Sequence, residues 1–218
     1  MERTESKSQQ AYEITHELAR VEDYPPEWIE EWGTVDVKLI GELATNENFG
    51  RIFYKPEPVG SIDEIRMEGL LSDFDEIDYI YSELRLPLMS QRMLSVLTSV
   101  KNFLYQTIPV VIEDTEVAED SLTERSGKTN NNYVALQLLE HLDIFDREKS
   151  VYKTRSTNPN GIGRIKKLVL KVPQEGLPPI FRITDKPTRL YVSPEAKTAL
   201  EEAEITGIRF VRIDLSKP

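Results

Sequence analysis

The sequence predicts an α+β fold, with a largely antiparallel sheet and a few short helices. Strand-like and helical apolar patterns follow one another without strict β-α alternation. One unit of strand, serine, helix and strand also occurs twice, as an imperfect internal pseudo-repeat. A chain of 218 residues can bury a substantial core, so we expect a single domain at 11–218 behind a flexible tail at 1–10. Within that domain, 11–72 carries the weakest patterns.

The pseudo-repeat is clearest in its second copy. A short apolar strand is predicted at 189–192. Ser193 is suited to cap a helix with its hydroxyl, and Pro194 suits the first helical position, where no donor is needed. Gly207 ends the helix before a strand returns at 208–213. The apolar stripe of this helix consists of Ala196, Ala199, Leu200 and Ala203.

The first copy repeats this order with a longer connection. A strand is predicted at 86–89, Ser90 takes the place of Ser193, and the returning strand lies at 108–112. The helical stripe consists of Met93, Val96, Leu97 and Val100, in which Leu97 corresponds to Leu200. The alternative is a coincidence between two common strand-helix-strand patterns.

Shorter patterns predict the remaining elements. The other predicted strands lie at 35–40, 51–54, 165–172 and 180–183, with one bent strand or two short ones at 132–145. Turn-forming residues predict a loop at 157–163. The pattern at 11–20 fits a helix or a strand. A short acidic helix is expected at 27–32, where Trp28 and Trp32 share one face as core anchors or as a ligand platform.

Composition argues against several chemistries. The chain has no cysteine, which excludes disulfides, thiolate nucleophiles and cysteine-based metal sites. Its two histidines, His16 and His141, lie far apart and outside any metal-binding spacing. No phosphate-binding loop, dinucleotide fingerprint or nucleophile elbow is present. We therefore expect no enzymatic activity, no cofactor, no metal and no small-molecule ligand.

The charge balance bears on partners and location. The formal net charge of -11 disfavours nucleic acid as a ligand, because phosphate binding depends on clustered Lys and Arg. It favours a basic protein partner, or it serves solubility alone. The start of the chain at 1–10 is polar, and no stretch is long and apolar enough to span a bilayer. We expect a cytoplasmic protein without membrane contact.

Two acidic clusters are the candidate partner-binding residues. A hydrophilic insertion at 113–125 is expected to form a mobile, solvated loop that steers a basic partner, or one that is merely solvated. Its candidates are Glu113, Asp114, Glu116, Glu119 and Asp120. A second cluster combines carboxylates with aromatic rings, which either anchor an interface or belong to the core. Its candidates are Asp73, Asp75, Glu76, Asp78, Tyr79 and Tyr81.

Two segments, 133–152, which ends in LDIFDREKSVY, and 180–211, carry a resemblance to a known family. They are similar to the central motif and the closing motif of a bacterial immunity protein family of polymorphic toxin and type VI secretion systems, formerly a domain of unknown function. The resemblance covers about 73–215 and departs from the family at the insertion 113–125. It implies a non-catalytic protein that neutralises a cognate toxin by stoichiometric binding, without identifying the toxin. We expect a cytoplasm-acting nuclease or ADP-ribosyltransferase, and we favour the nuclease because an acidic surface can compete for a basic nucleic-acid site.

Two other functions stay open. Paired carboxylates, Asp73 with Asp75 or Asp143 with Asp146, are compatible with a hydrolase that reverses a toxin's modification. A scaffold protein of a secretion assembly is the other possibility. A hydrolase turns over at substoichiometric amounts, whereas a scaffold binds many partners and rescues no poisoned cell.

Overall fold

A computed structural model describes residues 10–16, 36–74, 76–82, 84–116, 127–156 and 158–216. Within them the fold is mostly β-sheet with short helices, roughly α+β. The strands form two six-stranded sheets and a separate two-stranded ribbon. Three strand pairs are parallel, so the sheets are mixed, whereas the sequence predicts a largely antiparallel sheet. No helix in the described ranges is both long enough and apolar enough to cross a membrane.

The elements have the following bounds. In spatial order the first sheet contains β2 (Lys38–Leu39), β3 (Ile65–Gly69), β6 (Tyr105–Asp114), β7 (Thr129–Leu138), β5 (Leu88–Ser90) and β4 (Tyr79–Ile80). The second sheet contains β11 (Val169–Lys171), β14 (Ile208–Ser216), β1 (Gln10–His16), β13 (Leu190–Val192), β12 (Ile180–Ile183) and β8 (His141–Leu142). The ribbon pairs β9 (Val151–Arg155) with β10 (Asn158–Lys167). In the described part of the chain the α-helices are α1 (Leu71–Phe74), α2 (Gln91–Val100) and α3 (Pro194–Glu202), and two 3-10 helices span Glu42–Thr45 and Phe49–Tyr54.

The two predicted copies of the repeat fold alike. In each sheet, the strand before the helix and the strand after it flank a third strand that is antiparallel to both. That third strand is β7 in the first sheet and β1 in the second. Each returning strand also has a parallel neighbour, β3 beside β6 and β11 beside β14. The second copy is therefore completed by a strand from the other end of the chain.

Both helices begin as the sequence predicts. The Ser90 hydroxyl accepts a hydrogen bond from the Met93 backbone N–H at 3.0 Å, and the Ser193 hydroxyl accepts one from Ala196 at 3.1 Å. The corresponding Leu97 and Leu200 are both buried. Helices α2 and α3 pack against each other, and their stripes share one hydrophobic cluster with residues of both sheets. The pair of helices thus joins the two sheets through a common core.

Two further clusters cover the outer faces of the sheets. The first sheet packs against the second 3-10 helix, which buries Phe49 and Phe53. The second sheet packs against the ribbon, through Ile162 of β10 and Phe181 of β12. From Tyr133 onward, strand β7 is buried on both faces, because alternate residues enter different clusters. This burial explains the nearly continuous apolar sequence at 133–138, which follows four polar residues at 129–132.

Two predicted elements are wrong. The strand expected at 51–54 is the end of the 3-10 helix Phe49–Tyr54, because helical spacing turns both buried phenylalanines toward the sheet. The loop expected at 157–163 is largely part of β10, which pairs with β9 despite its turn-forming residues. Gly163 permits this pairing, since a Cβ there would lie 2.8 Å from the Lys153 carbonyl oxygen.

The other predictions differ in their bounds. Of the pattern at 11–20, residues 11–16 belong to strand β1, as does Gln10, which was expected in the tail. Residues 17–20 lie outside the described residues. Residues 132–145 contain two strands, β7 and β8, of which β7 begins earlier than expected. The strand expected at 35–40 shrinks to β2, with an additional parallel bridge between Val37 and Ser82. The helix expected at 27–32 and most of the tail lie outside the described residues.

The two caps give a matched stability test. Ser193→Ala removes one cap hydrogen bond and lowers the free energy of unfolding by about 1 kcal/mol. Ser90→Ala lowers it further, because the Ser90 hydroxyl also donates to the buried Asp78 carboxylate at 2.5 Å. Urea denaturation followed by circular dichroism measures both losses. Ser99→Ala, with an exposed hydroxyl, is the control. Equal losses at Ser90 and Ser193 contradict a second role for Ser90.

Candidate functional site

Among the described residues, the second predicted acidic cluster meets the first only through Asp73, at one end of the first sheet. Its other described members lie near β4, at the opposite edge of that sheet. The parallel pairing of β3 with β6 places Glu68 beside Glu113, and Asp73 follows β3 in helix α1. The Thr115 backbone N–H donates to the Gly69 carbonyl at 3.0 Å, which holds the two chain segments together. We call Glu68, Asp73, Glu113 and Glu116 the acidic edge. Asp73 and Glu116 are exposed, and the other two are half-buried.

The insertion is not a loop where it begins, so the expectation of a solvated loop from 113 is wrong there. Glu113 and Asp114 are the last residues of β6. Asp114 is 3% exposed and accepts hydrogen bonds from the Leu71 and Glu116 backbone N–H groups, both at 3.2 Å. Its buried carboxylate therefore connects the end of β6 to the start of helix α1 and is not exposed to a partner.

The remaining carboxylates of the insertion differ in position. Glu113 accepts a hydrogen bond from the Arg66 Nε at 3.1 Å on the neighbouring strand. Glu116 forms an exposed ion pair with Lys128 at 3.3 Å. Such ion pairs contribute little to stability in water and leave the carboxylates accessible. Glu119 and Asp120 lie outside the described residues.

Asp78 was predicted to bind a partner at the surface. It is instead buried and connects the two repeats through hydrogen bonds. It is 5% exposed and accepts hydrogen bonds from the Ser90 hydroxyl, the Arg92 guanidinium and the Thr206 backbone N–H. Burial alone would raise its pKa, but these hydrogen bonds outweigh that effect and lower the pKa below its usual value. The Arg92 guanidinium also donates a hydrogen bond to the carbonyl oxygen of Glu204, just after α3, at 3.2 Å.

The predicted aromatic anchors pack against the protein itself. Tyr79 is buried, and its ring stacks on the His16 ring with centroids 4.2 Å apart. Tyr81 is half-buried, with its ring centroid 4.8 Å from that of His16. Burial raises the pKa of the Tyr79 hydroxyl to about 12. Of this cluster Glu76 is exposed, whereas Asp75 lies outside the described residues.

A polar groove of about 460 Å³ lies beside the N-terminus of α2. It is lined by Glu76, Ile77, Asp78, Ser90, Gln91, Arg92, Asn130, Asn132 and Tyr133. Several of its polar groups are engaged within the fold: the Tyr133 hydroxyl donates to the Ile77 carbonyl at 2.6 Å, and the Gln91 amide donates to the Asn131 carbonyl at 3.4 Å. Of the two carboxylates that line the groove, Asp78 is hydrogen-bonded within the fold and Glu76 is exposed.

The second carboxylate pair is not arranged for acid-base work. Asp146 is buried and accepts hydrogen bonds from the Glu148 and Lys149 backbone N–H groups, at 3.1 and 3.0 Å. A hydrogen bond from Ser216 and these N–H groups lower its pKa despite the opposing effect of burial. Asp143 is exposed. A carboxylate held ionised in a turn is a poor proton donor near neutral pH.

Sequence reasoning missed a buried cation, Arg182. It is 2% exposed and donates to the carbonyl oxygens of Pro187 and Arg189, at 2.6 and 3.3 Å. The Tyr54 ring centroid lies 5.3 Å from its guanidinium carbon, and burial lowers its pKa to about 10. The only signal in the sequence was one charged residue in the otherwise apolar strand β12.

No cluster of three or more metal-binding side chains occurs among the residues that the structure describes. No known protein family matches the chain, and no curated protein matches it.

The two histidines predict the pH dependence of stability. Burial lowers the pKa of His16 and of His141 to about 4, with the charge of Arg182 also acting on His141. Between pH 6.5 and about 4, the unfolded chain therefore binds protons that the folded chain does not. The free energy of unfolding consequently decreases as the pH is lowered through this window. Urea denaturation across this window measures the loss.

The double variant His16→Gln and His141→Gln is expected to lose less stability across the same window, because it lacks both titrating rings. For each protein, the free energy of unfolding near neutral pH is the reference for the loss at lower pH. This subtracts any stability that the substitutions remove through poorer packing. An unchanged slope in the double variant contradicts the assignment of this pH dependence to the histidines.

Proposed function

We propose that the chain is an immunity protein that binds and neutralises a cognate toxin domain acting in the cytoplasm, by forming a stoichiometric complex. One observation carries this proposal. The buried carboxylates Asp78, Asp114 and Asp146 are hydrogen-bonded within the fold. In the acidic edge, by contrast, Asp73 and Glu116 are exposed, and the other two carboxylates are half-buried on paired strands. This arrangement suits recognition rather than turnover.

Three buried carboxylates that are hydrogen-bonded within the fold make a hydrolase the weaker hypothesis. Asp78, Asp114 and Asp146 are each buried and accept at least two hydrogen bonds. For Asp78 and Asp146 these bonds also lower the pKa, which keeps the group ionised. A general acid needs a raised pKa and access to substrate. Asp78 and Asp146 have neither, and the buried Asp114 lacks the access.

The acidic edge suits a basic partner. Glu68 and Glu113 lie on paired strands, and Asp73 and Glu116 follow those strands closely in the chain, so binding does not require a disordered segment to be ordered first. Concentrated negative charge attracts a positively charged surface and accelerates association. A nuclease toxin has such a surface where it binds phosphates, which favours a nuclease over an ADP-ribosyltransferase as the cognate toxin.

The stoichiometry of protection tests the proposal. The toxin would be the C-terminal domain encoded by the adjacent reading frame, produced with and without this chain. We expect protection to reach its maximum at about one molecule of this chain per toxin, with a complex that survives gel filtration. Protection by trace amounts shows turnover and contradicts a binding mechanism. A toxin that is neither bound nor inhibited contradicts the proposal altogether.

A charge variant tests the role of the acidic edge. Glu113→Gln with Glu116→Gln is expected to slow association about tenfold at low salt and to flatten its salt dependence, as measured by stopped-flow fluorescence. Glu140→Gln with Glu175→Gln, exposed carboxylates outside the acidic edge, is the matched control. Equal association rates for the two double variants at every salt concentration remove the steering role.

A further inference from the structure

Positive charge is concentrated in one segment of this acidic chain. Residues 149–174 contain seven Lys or Arg and no Asp or Glu, whereas the whole chain carries a formal charge of -11. Five of the seven lie on the two strands of the ribbon. These five, which we call the basic ribbon, are Lys153, Arg155, Arg164, Lys166 and Lys167.

The cations lie on the outer side of the ribbon. Its apolar residues Tyr152, Ile162 and Ile165 pack into the cluster shared with the second sheet. All five cationic side chains are exposed. Among the described residues, only Lys167 has a carboxylate within ion-pair distance, Asp214 at 3.2 Å. The charge of the other four is therefore not compensated within the described part of the fold.

The ribbon also has open edges. Over the ranges that the structure covers, β9 and β10 pair only with each other, so the outer edge of β9 has no partner strand. Such an edge presents alternating backbone N–H and C=O groups to solvent. Val151, at the start of β9, is 51% exposed and adds an apolar contact.

Protection against self-association is the alternative explanation of this charge. Lysine on an edge strand discourages pairing with other strands, and both strands of a two-stranded ribbon are edge strands. The cations lie on both strands, so the positive charge extends across the whole outer face of the ribbon. Such a face attracts a strand that carries carboxylates while it repels basic ones, so the charge selects an acidic partner strand.

We propose that the basic ribbon binds an extended acidic segment of a partner protein, which adds to β9 as a third strand. Backbone hydrogen bonds to the open edge would align the segment, and its carboxylates would contact the cations of both strands. The inference does not rest on the proposed toxin binding, because the acidic edge belongs to the first sheet and the ribbon packs on the second.

Hydrogen bonding favours a peptide over a nucleic acid. Nucleic-acid phosphates compensate the cations and accept from N–H groups, but they donate nothing to the open carbonyl groups of β9. A peptide strand supplies donors and acceptors in alternation, as the edge requires. An acidic extended segment therefore satisfies both the charge and the backbone groups.

The test measures binding of two fluorescein-labelled peptides to the full chain by fluorescence anisotropy. One peptide alternates Glu and Val over about eight residues, a typical strand length. The other alternates Glu and Pro, with the same charge but without the N–H groups of the valines. We expect the Glu-Val peptide to bind at least about tenfold more tightly and to slow hydrogen exchange of β9 amides.

Variants of the chain locate the site. Lys153→Gln with Arg155→Gln is expected to weaken binding of the Glu-Val peptide about tenfold. Arg51→Gln with Lys55→Gln, the same exchange at exposed positions outside the ribbon, is the matched control and should leave binding unchanged. Circular dichroism checks that both double variants remain folded.

Three results overturn the inference. Equal affinity for the two peptides shows that charge alone is recognised and that the open edge is not used. Tighter, ribbon-dependent binding of a labelled DNA oligonucleotide shows that the partner is a nucleic acid. Absence of Glu-Val peptide binding to the unmodified chain shows that the ribbon is only solvated.

Discussion

The buried carboxylate of Asp78 is the interaction on which the arrangement of the two repeats depends. It accepts from Ser90 and Arg92 at the start of α2, and from the Thr206 backbone after α3. A buried charge is tolerated only with such donors, so this contact specifies how one helix meets the other. Gly207 completes the junction: its φ is +77°, and a Cβ there would lie 2.6 Å from the Tyr79 carbonyl oxygen.

This junction has consequences for both charged surfaces. Because α2 and α3 share one core with residues of both sheets, each sheet has an outer face turned away from the helices. On the first sheet, β3 and β6 bring carboxylates together; on the second, the ribbon adds a layer that carries uncompensated cations. A chain with a large negative charge therefore presents two surfaces of opposite sign, which a net charge cannot reveal.

Local features of the sequence predicted the parts of the fold that depend on neighbouring residues. Ser90 and Ser193 cap their helices because a hydroxyl reaches an N–H three residues later in the chain. In contrast, the turn-forming residues of β10 suggested a loop, and cross-strand pairing with β9 overrode them. For the candidate site, the acidic clusters were visible, but the inward orientation of Asp78 and Asp114 was not.

The sequence by itself determined the repeated unit, its capped helices and the separation of acidic from basic segments, since these follow from spacing and composition. Only the tertiary structure decided that β1 completes the second sheet, that Arg182 is buried, and which carboxylates face solvent. The physical reason is that strand pairing and burial depend on contacts between residues far apart in the chain. One strand can satisfy its hydrogen bonds with many partners, and the packing of the whole core selects among them.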